Sequence, residues 1–201
     1  GIKKMNTFDQ ALVTRANESE ERALTAPNVL WDLPFDPKTR FSTVIIEQQG
    51  KRLLLVRGAP EELVLHSTLS ESQQKKILEQ LEDHGKQGLR ARGVLQRELM
   101  TNEKPGPGLV EHMEFLGFAA FRDPLKQTAK EAIQVARKLG IDFRIITGDS
   151  VTVAYAVGKE VGLVASEDEV AAASTLFSLP EKEIEEMIER TKIFARVSPD
   201  Q

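Results

Sequence analysis

The sequence contains no cysteine, which excludes disulfide bonds and thiolate metal sites and suits a reducing compartment. Histidine is scarce: His66, His84 and His112 fall in separate polar contexts with no metal-ligand spacing, and all three are expected at the surface. Aromatic residues make up only 5% of the chain, with one Trp and one Tyr. No apolar run approaches the roughly 18 residues that a membrane span needs, and nothing at the start reads as a signal peptide. There is no basic excess either; a net charge of −4 argues against nucleic acid as a partner. What is present is globular: 40% hydrophobic and 29% charged residues across 201 positions, enough for one large domain or two small ones. The chain opens on Gly1 rather than Met, as expected of a piece of a longer protein.

Two patterns succeed one another. In the first, a short apolar patch at Phe8, Ala11, Leu12 and Val13 predicts a helix carrying Asp9, closed by a loop at Ala26-Pro27-Asn28. After the segment Trp31–Pro37, the β-branched run Phe41–Ile46 and the run Arg52–Val56 predict an antiparallel hairpin turning at Gln48–Lys51. Pro60 suits the first position of a helix. Ser70 and Gln73 form a capping-box pattern for a second helix, whose apolar stripe is Ile77, Leu78 and Leu81 and which ends near His84-Gly85. Leu89–Leu95 alternates like a strand, with Arg90 and Arg92 sharing one face. Thr101–Gly108 reads as an exposed loop, and Phe115–Phe121 as a continuously apolar strand.

In the second pattern, Asp123 and Pro124 are expected to cap and open a helix that runs through Ile133 to Gly140. A buried strand over Phe143–Ile146 follows, then Thr147-Gly148-Asp149 and a helix to Gly162. Ser178–Glu181 is expected to cap a further helix, and Ile193–Val197 to form the last strand. Helix, strand, helix, helix, strand is the grammar of a parallel sheet. A strand that stops at small turn-forming residues and opens a helix can turn backbone N–H groups and a Thr hydroxyl towards an anion. Thr-Gly-Asp alone fits an ordinary strand-turn-helix connection equally well.

Six segments, in order, resemble the P-type cation-transporting ATPases. Pro34-Phe35-Asp36 resembles the adenine-stacking segment of their nucleotide-binding domain, and Arg57-Gly58-Ala59-Pro60-Glu61 is similar to their Lys-Gly-Ala-Pro-Glu. Gly88-Leu89-Arg90 resembles the segment that supplies an arginine to the nucleotide phosphates, and Asp123-Pro124-Leu125-Lys126 the hinge into the phosphorylation domain. Thr147-Gly148-Asp149 and Phe194-Ala195-Arg196-Val197-Ser198-Pro199 match two motifs of that second domain. The resemblance implies an antiparallel-sheet nucleotide-binding domain with helices over residues 1–122, joined at residues 123–201 to an incomplete Rossmann-like parallel sheet of the haloacid-dehalogenase type.

It further implies ATP as ligand, with Asp9, Phe35, Arg40, Arg57, Gly58, Arg90 and Asp123 as nucleotide-binding residues. Thr147, Gly148, Asp149 and Arg196 would line the phosphoryl site. The chemistry agrees: an adenine needs an aromatic face and a triphosphate needs cations, although each arginine alone would more often be a solvated surface charge. Arg57 replaces the family's usual Lys, a wider planar fork for a point charge. The family's nucleophilic aspartate, in Asp-Lys-Thr-Gly-Thr, is absent from the chain, as is the Gly-Asp-Gly-Val-Asn-Asp segment that holds Mg²⁺. The expectation is therefore a cytoplasmic piece, itself catalytically inactive, of a membrane pump whose membrane and actuator domains, transported cation and Mg²⁺ belong to the intact enzyme. Arg-Gly-Ala-Pro-Glu points towards the calcium-, magnesium- or proton-type branches. A stand-alone nucleotide-binding regulator remains an alternative. A soluble phosphatase of the same fold is disfavoured because no Asp-x-Asp pair occurs.

Overall fold

The structure, a computed structural model, describes residues 7–18, 27–100, 102–176 and 178–198. Ala26 of the first expected loop, Thr101 of the second and Pro199 of the last motif lie outside the described residues. Helix α1 (Thr7–Glu18) precedes strands β1 (Asn28–Asp36), β2 (Phe41–Gln48) and β3 (Lys51–Gly58). Helices α2 (Pro60–Leu63) and α3 (Glu71–Lys86) follow, then β4 (Arg90–Leu99) and β5 (Glu114–Phe121). The five strands form one antiparallel sheet in the order β1-β2-β3-β4-β5.

Local chemistry accounts for most of these elements. The β2–β3 hairpin turns through Gln49 and Gly50, whose φ values of 52° and 75° are both positive; such a two-residue turn matches the right-handed twist of the strands. Ile45 on β2, Leu54 and Val56 on β3, and Leu95 and Leu99 on β4 point to one face, where Leu63 and Met113 cover them. The capping box at Ser70 and Gln73 forms as expected: the Gln73 N–H reaches the Ser70 hydroxyl at 3.4 Å and the Ser70 N–H reaches Gln73 Oε1 at 2.9 Å. Strand β1 had no counterpart in the sequence pattern. It is an edge strand exposed on both faces, so it shows no alternation, and Pro34 sits at a bulge where no ladder N–H is needed. The apolar β5 is likewise an edge, half-buried rather than core, with a register shift opposite Val94 and Leu95.

The second half runs α4 (Ala129–Lys138), β6 (Ile145–Ile146), α5 (Val151–Glu160), β7 (Val170–Ala172), α6 (Ala173–Leu176), α7 (Glu181–Arg190) and β8 (Ile193–Ala195). Its three strands are parallel, in the order β6-β8-β7, over a core that includes Ile133, Ala154, Leu163 and Ile193. The fold is thus mixed α/β: a five-stranded antiparallel sheet with helices and a small parallel sheet.

Several boundaries differ from expectation, each for a local reason. The helix expected from Asp123 starts at Ala129, because the Asp123 carboxylate is drawn away by Arg90 at 3.0 Å. The strand expected over Phe143–Ile146 keeps only two residues and is not buried. It pairs with β8 on one side alone, which leaves Phe143 41% and Ile146 71% exposed. Ser178 caps no helix; its hydroxyl donates to the Thr175 carbonyl, and Pro180 stands at the N-cap of α7. The last strand stops at Ala195 because Arg196 turns into the left-handed region. His66 and His84 are half-buried rather than free at the surface, packed edge-on against Phe41 and Phe118.

Candidate functional site

The site begins at an irregularity in β1. Leu33 pairs with Thr43 and Asp36 with Phe41, so Pro34 and Phe35 stand opposite Ser42 alone. Two residues against one is a bulge, and it turns Phe35 out of the ladder, 58% exposed. The Asp36 carboxylate accepts the Lys38 N–H at 2.9 Å, and its carbonyl accepts the Arg40 N–H at 2.7 Å, closing the β1–β2 turn. Arg40 ends that turn with φ of 61°.

The Arg40 carbonyl explains the segment Arg57–Glu61. A Cβ on Gly58 would stand 2.5 Å from that oxygen, so only glycine fits. The next residue, Ala59, donates its N–H to the same oxygen at 3.1 Å, and Pro60 then opens α2. Glu61 and Glu62 in the first turn meet the Arg40 guanidinium at 3.0 and 2.6 Å.

On the other side, Thr147-Gly148-Asp149 leaves β6 and is laced to the loop after β8. The Arg196 N–H donates to the Asp149 carbonyl at 2.9 Å, and the Val197 N–H to the Thr147 carbonyl at 3.1 Å. Arg196 sits at φ of 57°, and its guanidinium reaches Glu61 across the two halves. The Thr147 hydroxyl is engaged within the turn: it donates to Asp149 Oδ2 at 3.1 Å and accepts the Asp149 N–H at 3.2 Å. Ser150 caps α5 by accepting the Val153 N–H at 3.3 Å.

Between the two sheets lies a cavity of about 290 Å³, close to the small end of ligand sites. Of the residues expected at a nucleotide or phosphoryl site, Phe35, Arg40, Arg90, Gly148, Asp149 and Arg196 line it together. Arg90 spans the halves, with one nitrogen on Asp149 at 2.9 Å and another on Asp123 at 3.0 Å. Asp9, Arg57, Gly58, Thr147 and Asp123 are not among the lining residues. Asp9 and Arg57 are paired with each other, while Gly58 acts through the Arg40 turn.

Glu61 and Arg92 are among the lining residues that were not expected at the site. Glu61 was visible only as the end of a motif, and its bridge between Arg40 and Arg196 needs both halves folded. Arg92 was visible as the strand neighbour of Arg90. Burial first, and then the Arg90 guanidinium, hold its proton affinity below the ordinary arginine value. Among the described residues, no group of three or more His, Cys, Asp or Glu side chains is placed to hold a metal ion. No helix among them is long and apolar enough to cross a membrane.

Residues 6–128 match the family model of the P-type ATPase cytoplasmic domain N. A calcium-transporting ATPase of Bacillus subtilis is 30% identical over 205 residues, which cover 94% of this chain and 23% of that protein. A P-type magnesium-transporting ATPase of Escherichia coli K12 is 31% identical over 207 residues, with 96% and 23% covered. A probable cation-transporting P-type ATPase of Mycoplasma genitalium is 30% identical over 176 residues, with 86% and 19% covered. The chain spans less than a quarter of the length of these curated relatives. A family match over most of the chain, on a fold that brings Phe35, Arg40, Arg90, Gly148, Asp149 and Arg196 to one cavity, leads to one conclusion: this chain belongs to the P-type ATPase cytoplasmic domain N family.

Proposed function

We propose that this chain is the ATP-binding cytoplasmic part of a cation-transporting P-type ATPase, with residues 1–122 as nucleotide-binding domain and 123–201 as part of the phosphorylation domain. In the intact pump, ATP hydrolysis through an aspartyl-phosphate would drive a cation across the membrane, in concert with the membrane and actuator domains. The single observation that carries this reading is the shared cavity, where an exposed aromatic, four arginines and Gly148 and Asp149 meet. Phe35 offers its ring to the adenine, and Arg40 and Arg90 take the phosphates. Gly148, Asp149 and Arg196 line the end where the γ-phosphoryl group would leave. Asp9 and Arg57 act at the margin, with Arg57 close enough to influence Arg92 electrostatically. Asp123 holds Arg90 and sits where the halves join, as a hinge requires.

ATP fits the residues present, since a stacking ring and several guanidinium groups face one cavity. Mg²⁺ does not find a ready-made set of ligands among the described residues, so no step is assigned to it on this chain. The nucleophilic aspartate is absent from the sequence, so phosphoryl transfer would be completed by another part of the pump.

Calorimetric titration with ATP tests this reading. Phe35→Ala should weaken binding by about one to two decades, the worth of a stacked base. Asp149→Ala should leave affinity nearly unchanged, because that residue serves the phosphoryl end. A larger loss from Asp149→Ala than from Phe35→Ala would overturn the division of roles.

A further inference from the structure

Among the described residues, one cation of the cavity forms no ion pair. Arg40 ends on Glu61 and Glu62, Arg90 on Asp123 and Asp149, and Arg196 on Glu61. Arg92 lines the same space, yet among the described residues no carboxylate forms an ion pair with it. It donates one hydrogen bond, from Nη1 to the Ala91 carbonyl at 3.0 Å. Its guanidinium lies over the Phe8 ring of α1, 4.7 Å from the centroid, and that ring is packed edge-on against Phe121 at 5.0 Å. The group is therefore seated by a cation–π contact instead of being held by charge. Most of its five N–H donors stay available for an anion.

The physical asymmetry is plain. An anion approaching Arg40, Arg90 or Arg196 must displace a carboxylate that already satisfies the guanidinium, and that exchange returns little free energy. At Arg92 no ion pair among the described residues has to break. A partly desolvated cation held by a ring face and one carbonyl is incompletely compensated, and an incoming phosphate relieves it. Burial first, and then the nearby Arg90, lower its proton affinity, while the Glu61 and Asp149 carboxylates act on it from beyond ion-pair distance in the opposite sense.

From this we propose that Arg92, seated on Phe8, is a phosphate-binding and specificity-determining residue of the cavity, the first cation to take a nucleoside polyphosphate. The proposal rests on the nucleotide reading above and deepens it. Arg92 sets the preference for a charged tail over a bare nucleoside, whereas Phe35 serves the base. Phe8 is the positioning residue, acting through the ring on which the guanidinium lies.

Titrations of the 201-residue chain with ATP and, separately, with adenosine provide the test. Arg92→Gln should weaken ATP by roughly tenfold or more and leave adenosine within about twofold of the parent. Arg92→Lys keeps the charge but loses the planar fork, so it should recover part of the ATP affinity and none of the adenosine affinity should move. Phe8→Leu should give a smaller, ATP-selective loss. Thermal melts accompany each variant, and Arg92→Lys supplies the comparison should Arg92→Gln fold poorly. Equal losses for ATP and adenosine, or no loss for either, would mean a merely structural Arg92 and would overturn the proposal while the nucleotide reading stands. If the parent chain binds neither ligand, both fall.

Discussion

Gly58→Ala should damage the sheet and the cavity together. A Cβ at this position would stand 2.5 Å from the Arg40 carbonyl oxygen, 2.5 Å from Phe41 Cβ and 2.8 Å from Phe41 Cα, where ordinary contact begins at 3.4 Å. The overlap is with backbone on one side and the root of a side chain on the other, so no rotamer change relieves it. Either the Phe41–Gly58 pair of the β2–β3 ladder opens, or the Arg40 turn moves. Overpacking of a fitted interior costs about 1–3 kcal/mol, and a clash with backbone belongs at the upper end. For about 200 residues, ~3 kcal/mol corresponds to a fall of roughly 6–12 °C in melting temperature. The control is Gly108→Ala, where nothing lies within 4 Å and melting should not change. Gly50→Ala separates the other cost of losing a glycine: it too meets no atom, but its φ of 75° makes any side chain unfavourable by about 1–2 kcal/mol. Because Arg40 moves with the turn, Gly58→Ala should also weaken ATP binding in the same calorimeter. Melting of Gly58→Ala no earlier than Gly108→Ala would refute the steric account of this motif.

Incubation with γ-labelled ATP and acid precipitation should leave no label on the chain, since the nucleophilic aspartate is absent; retained label would overturn the inactive-piece reading. Amide hydrogen exchange should be faster across residues 123–198 than in β2–β4, because strands of two or three residues protect few amides; uniform protection would contradict this. The hydrogen bond from Lys192, and then the Arg144 charge, hold the Asp142 carboxyl below its ordinary value of 3.8. A lowered folded-state value means this contribution to stability is complete above pH 3.8 and disappears as pH falls through the folded value. Asp142→Asn should therefore destabilise the chain at neutral pH, and the difference from the parent should vanish in strong acid; a constant difference would refute it.

Short-range chemistry was the legible part. The Ser70–Gln73 capping box, the Gln49-Gly50 turn and the Pro60 helix start are written into a few consecutive residues, and each forms. Asp123 was misplaced because local capping competes with a distant guanidinium, and the sequence gives no sign of Arg90 arriving beside it. Strand β1 was hidden for a different reason. An edge strand exposed on both faces obeys no period, and its identity comes from its neighbour's hydrogen bonds. At the cavity, Phe35 and Arg90 were recognisable from motif resemblance and Arg40 as a cation beside the predicted hairpin, whereas Arg92 becomes notable only once Phe8 is packed beneath it. The roles of Glu61 as a shared carboxylate and of Arg57 as the partner of Asp9 depend on contacts across the chain that no local spacing encodes.

The bulge at Pro34 and Phe35 has a consequence for how this site can diversify. Among the described residues strand β1 is outermost, so the irregularity disturbs one ladder and no described strand lies on its far side. Phe35 projects from the part of the sheet on which the core depends least, and its replacement removes little buried surface. The charged residues of the cavity are built otherwise. Arg40 and Glu61, with Gly58 behind the Arg40 turn, are locked into a strand pair, a helix start and a bridge between the halves. On the nucleotide reading proposed above, drift or deliberate redesign can therefore exchange the surface offered to a base while the scaffold stays intact, whereas the same freedom at the charged residues would unsettle the fold. Preference among bases would then be the evolvable property of such a cavity, and attachment of the charged tail the constrained one.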